Sequence, residues 1–240
     1  NNILQVDNKV VFRYNVRKYS DDLKKKLTYE QQQCLNTIIE SKEKIFLIKG
    51  VTGSGKTEIY MRLAEEMIEQ DKSVIVLVPE IALTPQMIER FVSRFGKEQI
   101  AVLHSKLSIG ERHDEWERIR ENKAKIIIGA RSAIFAPIPN LGLIIIDEEH
   151  DSSYKSESNP RYDAKEIAKK MAQEEKIPLL LGSATPEIET YYNATEKKEI
   201  TLLELTKRAN NAQLPKVEIV DLKMELANGN RSMLSTKLYS

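Results

Sequence analysis

The stretch "IFLIKGVTGSGKTEIYMRLAEEMIEQ", residues 45–70, changes character twice. An apolar run of strand length leads into a glycine-rich turn, and a helical segment follows. Within it, residues 50–57 match the pattern G-x-x-x-x-G-K-[ST] without a mismatch. The glycines let the backbone curl so that successive N–H groups point inward at phosphate oxygens, and the helix N-terminus adds its partial positive charge. This strand–turn–helix context turns the pattern into a mechanism. The cofactor it implies is ATP with Mg2+. Gly50, Val51, Thr52, Gly53, Ser54, Gly55, Lys56 and Thr57 form the cradle, Lys56 reaches the β- and γ-phosphates, and the Thr57 hydroxyl ligates Mg2+.

A phosphate cradle needs an acidic metal partner at the end of a neighbouring strand, and "LIIIDEEH", residues 143–150, supplies one. Asp147 is placed to hold Mg2+, directly or through water, and Glu148 to orient and deprotonate the attacking water. In a parallel sheet the carboxyl ends of the strands share one edge, so the two motifs should converge. The apolar runs at 45–50, 73–79, 100–105, 125–130, 141–147, 178–185 and 200–206 read as strands. Most lack in-out alternation, the mark of strands buried on both faces. Helix starts punctuate the intervals. Thr84-Pro85 and Thr185-Pro186 each place a capping residue before a proline, and Ser108 with Glu111 and Asp163 with Glu166 have capping-box spacing. The fold class is α/β, a mostly parallel sheet with helices on both faces.

The 240 residues carry a net charge of +1, 41% hydrophobic and 30% charged residues. That is ordinary for a soluble globular chain and provides no overall basic field for nucleic acid, so such contacts must come from local patches. One cysteine, Cys34, excludes an intramolecular disulfide and a cysteine-rich zinc site within this chain. No apolar run approaches a membrane span and the N-terminus lacks a signal-peptide shape, which together fit a reducing cytoplasm. Residues 1–26 hold seven Lys or Arg against three Asp, with Phe12, Tyr14 and Tyr19 interleaved. They read as a basic linker or the end of an upstream DNA-binding region. Residues 27–207 form the nucleotide-binding lobe, and 208–240 a connector. "PKVEIVDLK", residues 215–223, looks like a further strand, and a helix begins near Ser235 without a stop signal. Both ends look cut, as in a fragment of something longer.

Further phrases narrow the class. "DEEH" is followed about 30 residues later by "GSAT", Gly182–Thr185, with "PEIALTPQ" at 79–86 and "GARSAIFAP" at 129–137. These resemble motifs of superfamily 2 helicases. Linked with "GVTGSGKTEIY" and "DEEHDSSYK...PRYDA", they resemble the primosomal replication-restart (PriA) helicase family over residues 27–223. The resemblance implies a RecA-like first helicase lobe. It implies that Gln31 reads adenine, although Thr28 and Gln31 also have capping-box spacing, which leaves a helix cap as the alternative. Thr84, Arg131 and Ser132 would contact phosphates of single-stranded DNA, with His104 and Ser105 lining the DNA face. His113 reads as merely solvated. Residues 151–162 resemble an aromatic-rich loop that couples DNA binding to hydrolysis. Tyr154, Lys155, Arg161 and Tyr162 fit that task, because aromatic faces stack on any base. Pro160 stands where an aromatic is common, and Asp163 where a histidine is. His150 can reach toward Ser183 or Thr185 to carry the coupling.

The resemblance also implies what lies elsewhere. A second lobe would deliver an arginine finger, and a zinc-binding cysteine cluster belongs to the part not represented here. The intact protein would be an ATP hydrolase and 3′ to 5′ DNA helicase. Its partners would be single-stranded and branched fork DNA, single-stranded DNA-binding protein and primosome components, with no membrane; this chain alone would hydrolyse ATP barely. Two alternatives remain: a RecG-like or restriction-type translocase, and a nucleotide-gated DNA-binding module without productive turnover.

Overall fold

The computed structural model describes residues 24–42, 44–209 and 218–239. The chain divides into two units at residues 210/211. The first holds seven strands: β1 (Ile45–Gly50), β2 (Ser73–Leu77), β3 (Ile100–Leu103), β4 (Ile126–Gly129), β5 (Leu141–Asp147), β6 (Leu179–Ser183) and β7 (Thr201–Leu205). Each expected apolar run forms one of them. They make one sheet in the order β3-β4-β2-β5-β6-β1-β7, and every pairing is parallel.

Helices cover both faces, which is why the strands read as unbroken apolar runs. On one face Phe46, Ile48, Val76 and Ile145 pack against α1 (Tyr29–Glu40), α2 (Lys56–Glu69) and α3 (Pro85–Phe95). On the other, Leu47, Ile75, Ile144 and Ile146 meet α4 (Ile109–Arg120), α5 (Ala164–Glu175) and α6 (Ile188–Thr195). Small residues Ala164, Ala168 and Ala172 line the inner side of α5 at helical spacing and are wholly buried, so that helix lies close on the sheet.

Several caps follow the sequence. Thr84 accepts from the Met87 N–H with Pro85 in the first turn, and Ser108 with Glu111 closes a full capping box. Two others differ. Asp163 caps α5 through the Lys165 N–H, but Glu166 pairs with Lys169 rather than reaching back. The pair Thr185-Pro186 does not start a helix. Helix α6 begins at Ile188, and its first turn is held by a carboxylate 38 residues away. Glu149, fully buried, accepts from the Glu187 N–H at 2.7 Å and from the Thr190 hydroxyl at 3.1 Å. A remote anion thus does what a local Thr was expected to do, satisfying orphan donors and meeting the positive end of the helix.

The buried charge has a counter-ion. Lys165 Nζ lies 3.5 Å from Glu149 and also pairs with Glu187. Burial pulls the Lys165 amine down, yet its hydrogen bond to Glu187 and the Glu149 charge outweigh this and hold it above the ordinary lysine value. The same contact keeps the Glu187 carboxyl below its ordinary value.

The second unit contains α7 (Leu222–Ala227) and α8 (Thr236–Tyr239). The strand expected over 215–223 is not what its described part forms. Residues 218–221 are irregular, and Asp221 caps α7 through the Lys223 N–H. The Glu225 carboxylate joins the two helices by accepting from the Thr236 N–H and hydroxyl. Of the basic N-terminal segment, 1–23 lie outside the described residues, Phe12, Tyr14 and Tyr19 among them. Lys24 pairs with Glu65 at 3.0 Å, and Arg62 donates to the Lys25 carbonyl, so this end of the segment lies across α2. Among the described residues no helix is long and apolar enough to cross a membrane.

Replacing Glu149 by Ala would remove one of the two carboxylates that face the buried Lys165 and would uncap α6. Lys165 keeps Glu187, so the expected loss is about 3 kcal/mol, the lower end for a broken buried pair. Urea unfolding of the variant against the parent measures it; an unchanged midpoint would show that the carboxylate does not hold this corner together.

Candidate nucleotide site and the neighbouring groove

The turn from β1 into α2 is shaped by glycine. Gly53 and Gly55 sit at φ +81° and +85°, where a side chain would be strained. At Gly50 a Cβ would fall 2.5 Å from the Ser54 hydroxyl. Ser54 Oγ is buried and has no hydrogen-bond partner among the described residues. It is the kind of orphan that a ligand completes. Lys56, nearly buried, donates to the Gly50 carbonyl at 3.1 Å and lies 3.7 Å from Glu148 Oε1.

Strand β6 stands between β1 and β5. Lys49 is in register with Ser183, and Asp147 with Gly182. The phosphate turn and the acidic strand end therefore open into one cleft of about 460 Å³, lined by Gln31, the 52–58 turn, Asp147 and Glu148, with Lys25, Lys26 and Arg90 also on its walls. Burial, and then the neighbouring Glu148 charge, push the Asp147 carboxyl above its ordinary value, against the opposing hydrogen bond from Tyr60 and charge of Lys56. Glu148 follows the strand at φ +45°, a conformation costly for a residue with a side chain. Strain of this kind, about 1–3 kcal/mol, concentrates at functional positions.

Gln31 forms the helix cap and one contact more. It closes the capping box with Thr28, and its Nε2 donates to the Ser54 carbonyl at 2.8 Å, fastening α1 to the phosphate turn. Beyond the strand end, His150 Nδ1 shares a hydrogen bond with Ser183 Oγ at 2.8 Å and lies 3.7 Å from Glu148 Oε2. Ser183 Oγ also accepts from the Thr185 N–H at 3.0 Å. His150, Ser183 and Thr185 thus form a chain of contacts starting at Glu148.

The residues fit ATP with Mg2+ on their own chemistry. The orphan hydroxyl, the glycine curl and the nearly buried lysine suit a polyphosphate. Thr57 and Asp147 are oxygen donors of the sort Mg2+ uses when phosphates and water complete its shell.

The aromatic-rich loop corrects one expectation. Tyr154 cannot stack on a base, because its ring is wholly buried and its hydroxyl donates to the carbonyls of Leu77 and Asp147. Desolvation drives its phenol far above the ordinary range. It clips the loop to the ends of β2 and β5. Tyr162 is half-buried, edge-on to the exposed Phe135 with centroids 5.1 Å apart, and Arg161 is exposed. Arg131 donates to the carbonyls of Ser153 and Lys155, bracing the loop. Ser105, Arg112, Arg131, Ser132, Ser158 and Tyr162 are among the walls of a groove of about 280 Å³. Ser105 also donates to Glu80 at that groove, whereas His104 turns its Nδ1 to the Lys106 N–H. Thr84 is exposed and its hydroxyl is engaged in the α3 cap, and His113 lies exposed beside Asp114. Lys155 is exposed and 3.7 Å from Glu187.

The sequence reading missed Tyr60 and Glu149. Tyr60 Oη donates to Asp147 Oδ1 at 3.0 Å from inside the core. The glycine of "GSAT" was the available signal, since only a missing side chain there leaves room for that hydroxyl.

The raised Asp147 pKa carries a stability consequence. A carboxyl titrating higher in the folded state contributes stability that is present below the unfolded value, 3.8, and is lost as pH rises through the folded one. Asp147→Asn is therefore expected to raise the thermal midpoint of the nucleotide-free protein at neutral pH, with the gain vanishing toward pH 3.8, while Mg2+-dependent nucleotide retention is lost. Thermal scans across pH check the sign, and a lower midpoint at pH 7 would refute it.

The pattern of the DEAD/DEAH box helicase family matches residues 28–194. The replication restart protein PriA of Bacillus subtilis (strain 168) is 52% identical over 229 residues, 92% of this chain and 28% of that protein. The protein of the same name from Synechocystis sp. is 46% identical over 220 residues, 89% of this chain and 26% of the relative. This chain therefore spans little more than a quarter of the length of these relatives. The fold matches RecG bound to a three-way DNA junction with a TM-score of 0.56 at 23% identity, over 79% of this chain and 24% of that one. It matches the UvsW helicase of bacteriophage T4 with 0.53 at 16%, over 78% and 62%. With its parallel sheet, phosphate turn and acidic strand end at one edge, this chain belongs to the DEAD/DEAH box helicase family.

Proposed function

We propose that this chain is the ATP-binding lobe of a replication-restart DNA helicase, and that it binds ATP–Mg2+ and contributes a surface for single-stranded DNA. The observation that carries the reading is one cleft shared by Lys56, Asp147 and Glu148, with Glu148 linked through His150 to Ser183 on the strand between. The turn from Gly50 to Thr57 takes the phosphates, and Thr57 with Asp147 would hold Mg2+, which when bound would neutralise phosphate charge. Glu148 accepts a proton from water as the water oxygen bonds to the γ-phosphorus. The bond from that phosphorus to the bridging oxygen breaks, releasing ADP and phosphate. Gln31 Nε2 has a second hydrogen beyond the one given to Ser54, and adenine recognition is assigned to it.

On the DNA side, Thr84, Arg131, Ser132, Lys155 and Arg161 contact the strand and Tyr162 supplies the stacking face. Binding there acts on the cleft through the loop and through His150, Ser183 and Thr185. The full-length protein works on single-stranded and branched DNA, 3′ to 5′, with single-stranded DNA-binding protein and primosome components, in the cytoplasm. Zinc belongs to its other regions. The name of the B. subtilis relative and the family membership support this reading. An arginine from a second lobe is worth about 10³ to 10⁵ in turnover in phosphoryl-transfer enzymes of this kind. The 240-residue chain alone is therefore nearly inactive.

In the full-length protein Glu148→Gln should lower DNA-stimulated hydrolysis at least about 100-fold, the scale of a lost general base, with nucleotide binding retained. Hydrolysis at the parent rate would refute the assignment of the base. Tyr162→Ala should weaken single-stranded DNA binding about tenfold, as expected for one lost stacking contact. Tyr154→Phe should leave it unchanged and lower stability by about 1–2 kcal/mol. The reverse ranking in a DNA titration would restore Tyr154 as the stacking residue.

A further inference from the structure

We propose that Tyr60 is a positioning residue for the cation of this site: it occupies one oxygen of Asp147, leaves a single fixed oxygen for the metal, and so favours Mg2+ over Ca2+. The inference rests on the ATP–Mg2+ reading above.

Tyr60 lies on α2 three residues after Thr57, so the two are neighbours on the helix surface. Its ring is wholly buried in the core, and its hydroxyl reaches Asp147 Oδ1 at 3.0 Å. Room for it comes from a third element. Gly182 stands in register beside Asp147, and a Cβ there would lie 1.7 Å from the Tyr60 hydroxyl and 3.0 Å from its ring carbon Cζ. No residue larger than glycine fits while Tyr60 keeps this place. Helix α2, strand β5 and strand β6 thus converge on one carboxylate.

A carboxylate with one oxygen held by a hydrogen bond presents its other oxygen to a metal more readily than both together. Mg2+ is suited to that, since it demands near-octahedral geometry and draws few bonds from protein carboxylates. Ca2+ takes six to eight oxygens and readily uses carboxylates bidentately. Freeing Oδ1 should therefore loosen Asp147 for Mg2+ and open a second bond for Ca2+.

The test is equilibrium binding of a fluorescent (mant) ADP to the full-length protein, titrated with Mg2+ and separately with Ca2+. Tyr60→Phe keeps the ring and deletes the hydroxyl. The Mg2+ midpoint should rise about tenfold, the scale of a lost partner behind a metal ligand, with a smaller change or a gain for Ca2+. Affinity in EDTA should stay at the parent value, while the thermal midpoint falls slightly, as for any lost buried hydroxyl hydrogen bond. Gly182→Ala, which pushes the hydroxyl off Asp147, should give the same narrowing of the Mg2+/Ca2+ ratio. An unchanged Mg2+ midpoint in both variants overturns the proposal, and so does an equal loss in EDTA, which would make Tyr60 a packing residue of the phosphate turn. Failure of the parent protein to bind mant-ADP at all would instead sink the ATP reading.

Discussion

A parallel sheet delivers the carboxyl ends of all its strands to one edge, and the order of the strands decides which ends become neighbours. Here β6 lies between the strand that feeds the phosphate turn and the strand that ends in acid. Gly182 and Ser183 are therefore interleaved with Lys49 and Asp147 by register alone. Each of the two does work that follows from this position. Gly182 is small enough to admit Tyr60 to Asp147, and Ser183 joins His150 to the Thr185 backbone. Moving β6 elsewhere in the sheet would leave the same residues in the sequence with nothing to connect.

Three consecutive acids, Asp147, Glu148 and Glu149, occupy three environments within about 10 Å of chain. Asp147 ends the strand, half-buried, its pKa raised mainly by desolvation. Glu148 is thrown into a left-handed turn that brings it to Lys56. Glu149 passes beneath into the protein and closes the first turn of α6. The strained turn is what separates the chemistry at 147 and 148 from the scaffold at 149. A relaxed extended backbone would have sent the three side chains to alternating faces of the sheet.

Most strands were legible in the sequence because burial on both faces leaves an unbroken apolar run; the edge strand β7, with Glu204 exposed, was legible as a shorter apolar stretch. The cleft was legible because a cradle and an acidic strand end are each local in the chain. What stayed hidden depends on long-range contact. Nothing near Glu149 announces that its partner is a backbone N–H 38 residues on. Thr185-Pro186 carries the local signature of a helix start and loses to that distant carboxylate. Tyr154 and Tyr162 look alike in a polar segment, yet the short helical turn Ser152–Tyr154 drives the first ring into the core while the second stays half-exposed. Composition names the aromatic residues; only the path of the backbone sorts an anchor from a contact surface.

That sorting bears on how the loop can act. With Tyr154 hydrogen-bonded to the Leu77 and Asp147 carbonyls and Arg131 gripping the Ser153 and Lys155 carbonyls, the first half of the loop is fixed to the sheet edge. The second half returns to the scaffold through Asp163, which caps α5 and pairs with Lys155 in an isolated bridge. Glu187 then collects Lys155 from the loop and Lys165 from α5, while its own N–H rests on Glu149. A ligand that draws Lys155 away from Glu187 changes the charge balance around a buried lysine whose other partner sits two residues from Asp147. The loop and the acidic strand end are joined by ion pairs as well as by backbone: the exposed Lys155–Glu187 pair leads to the nearly buried Lys165 and, through it, to Glu149.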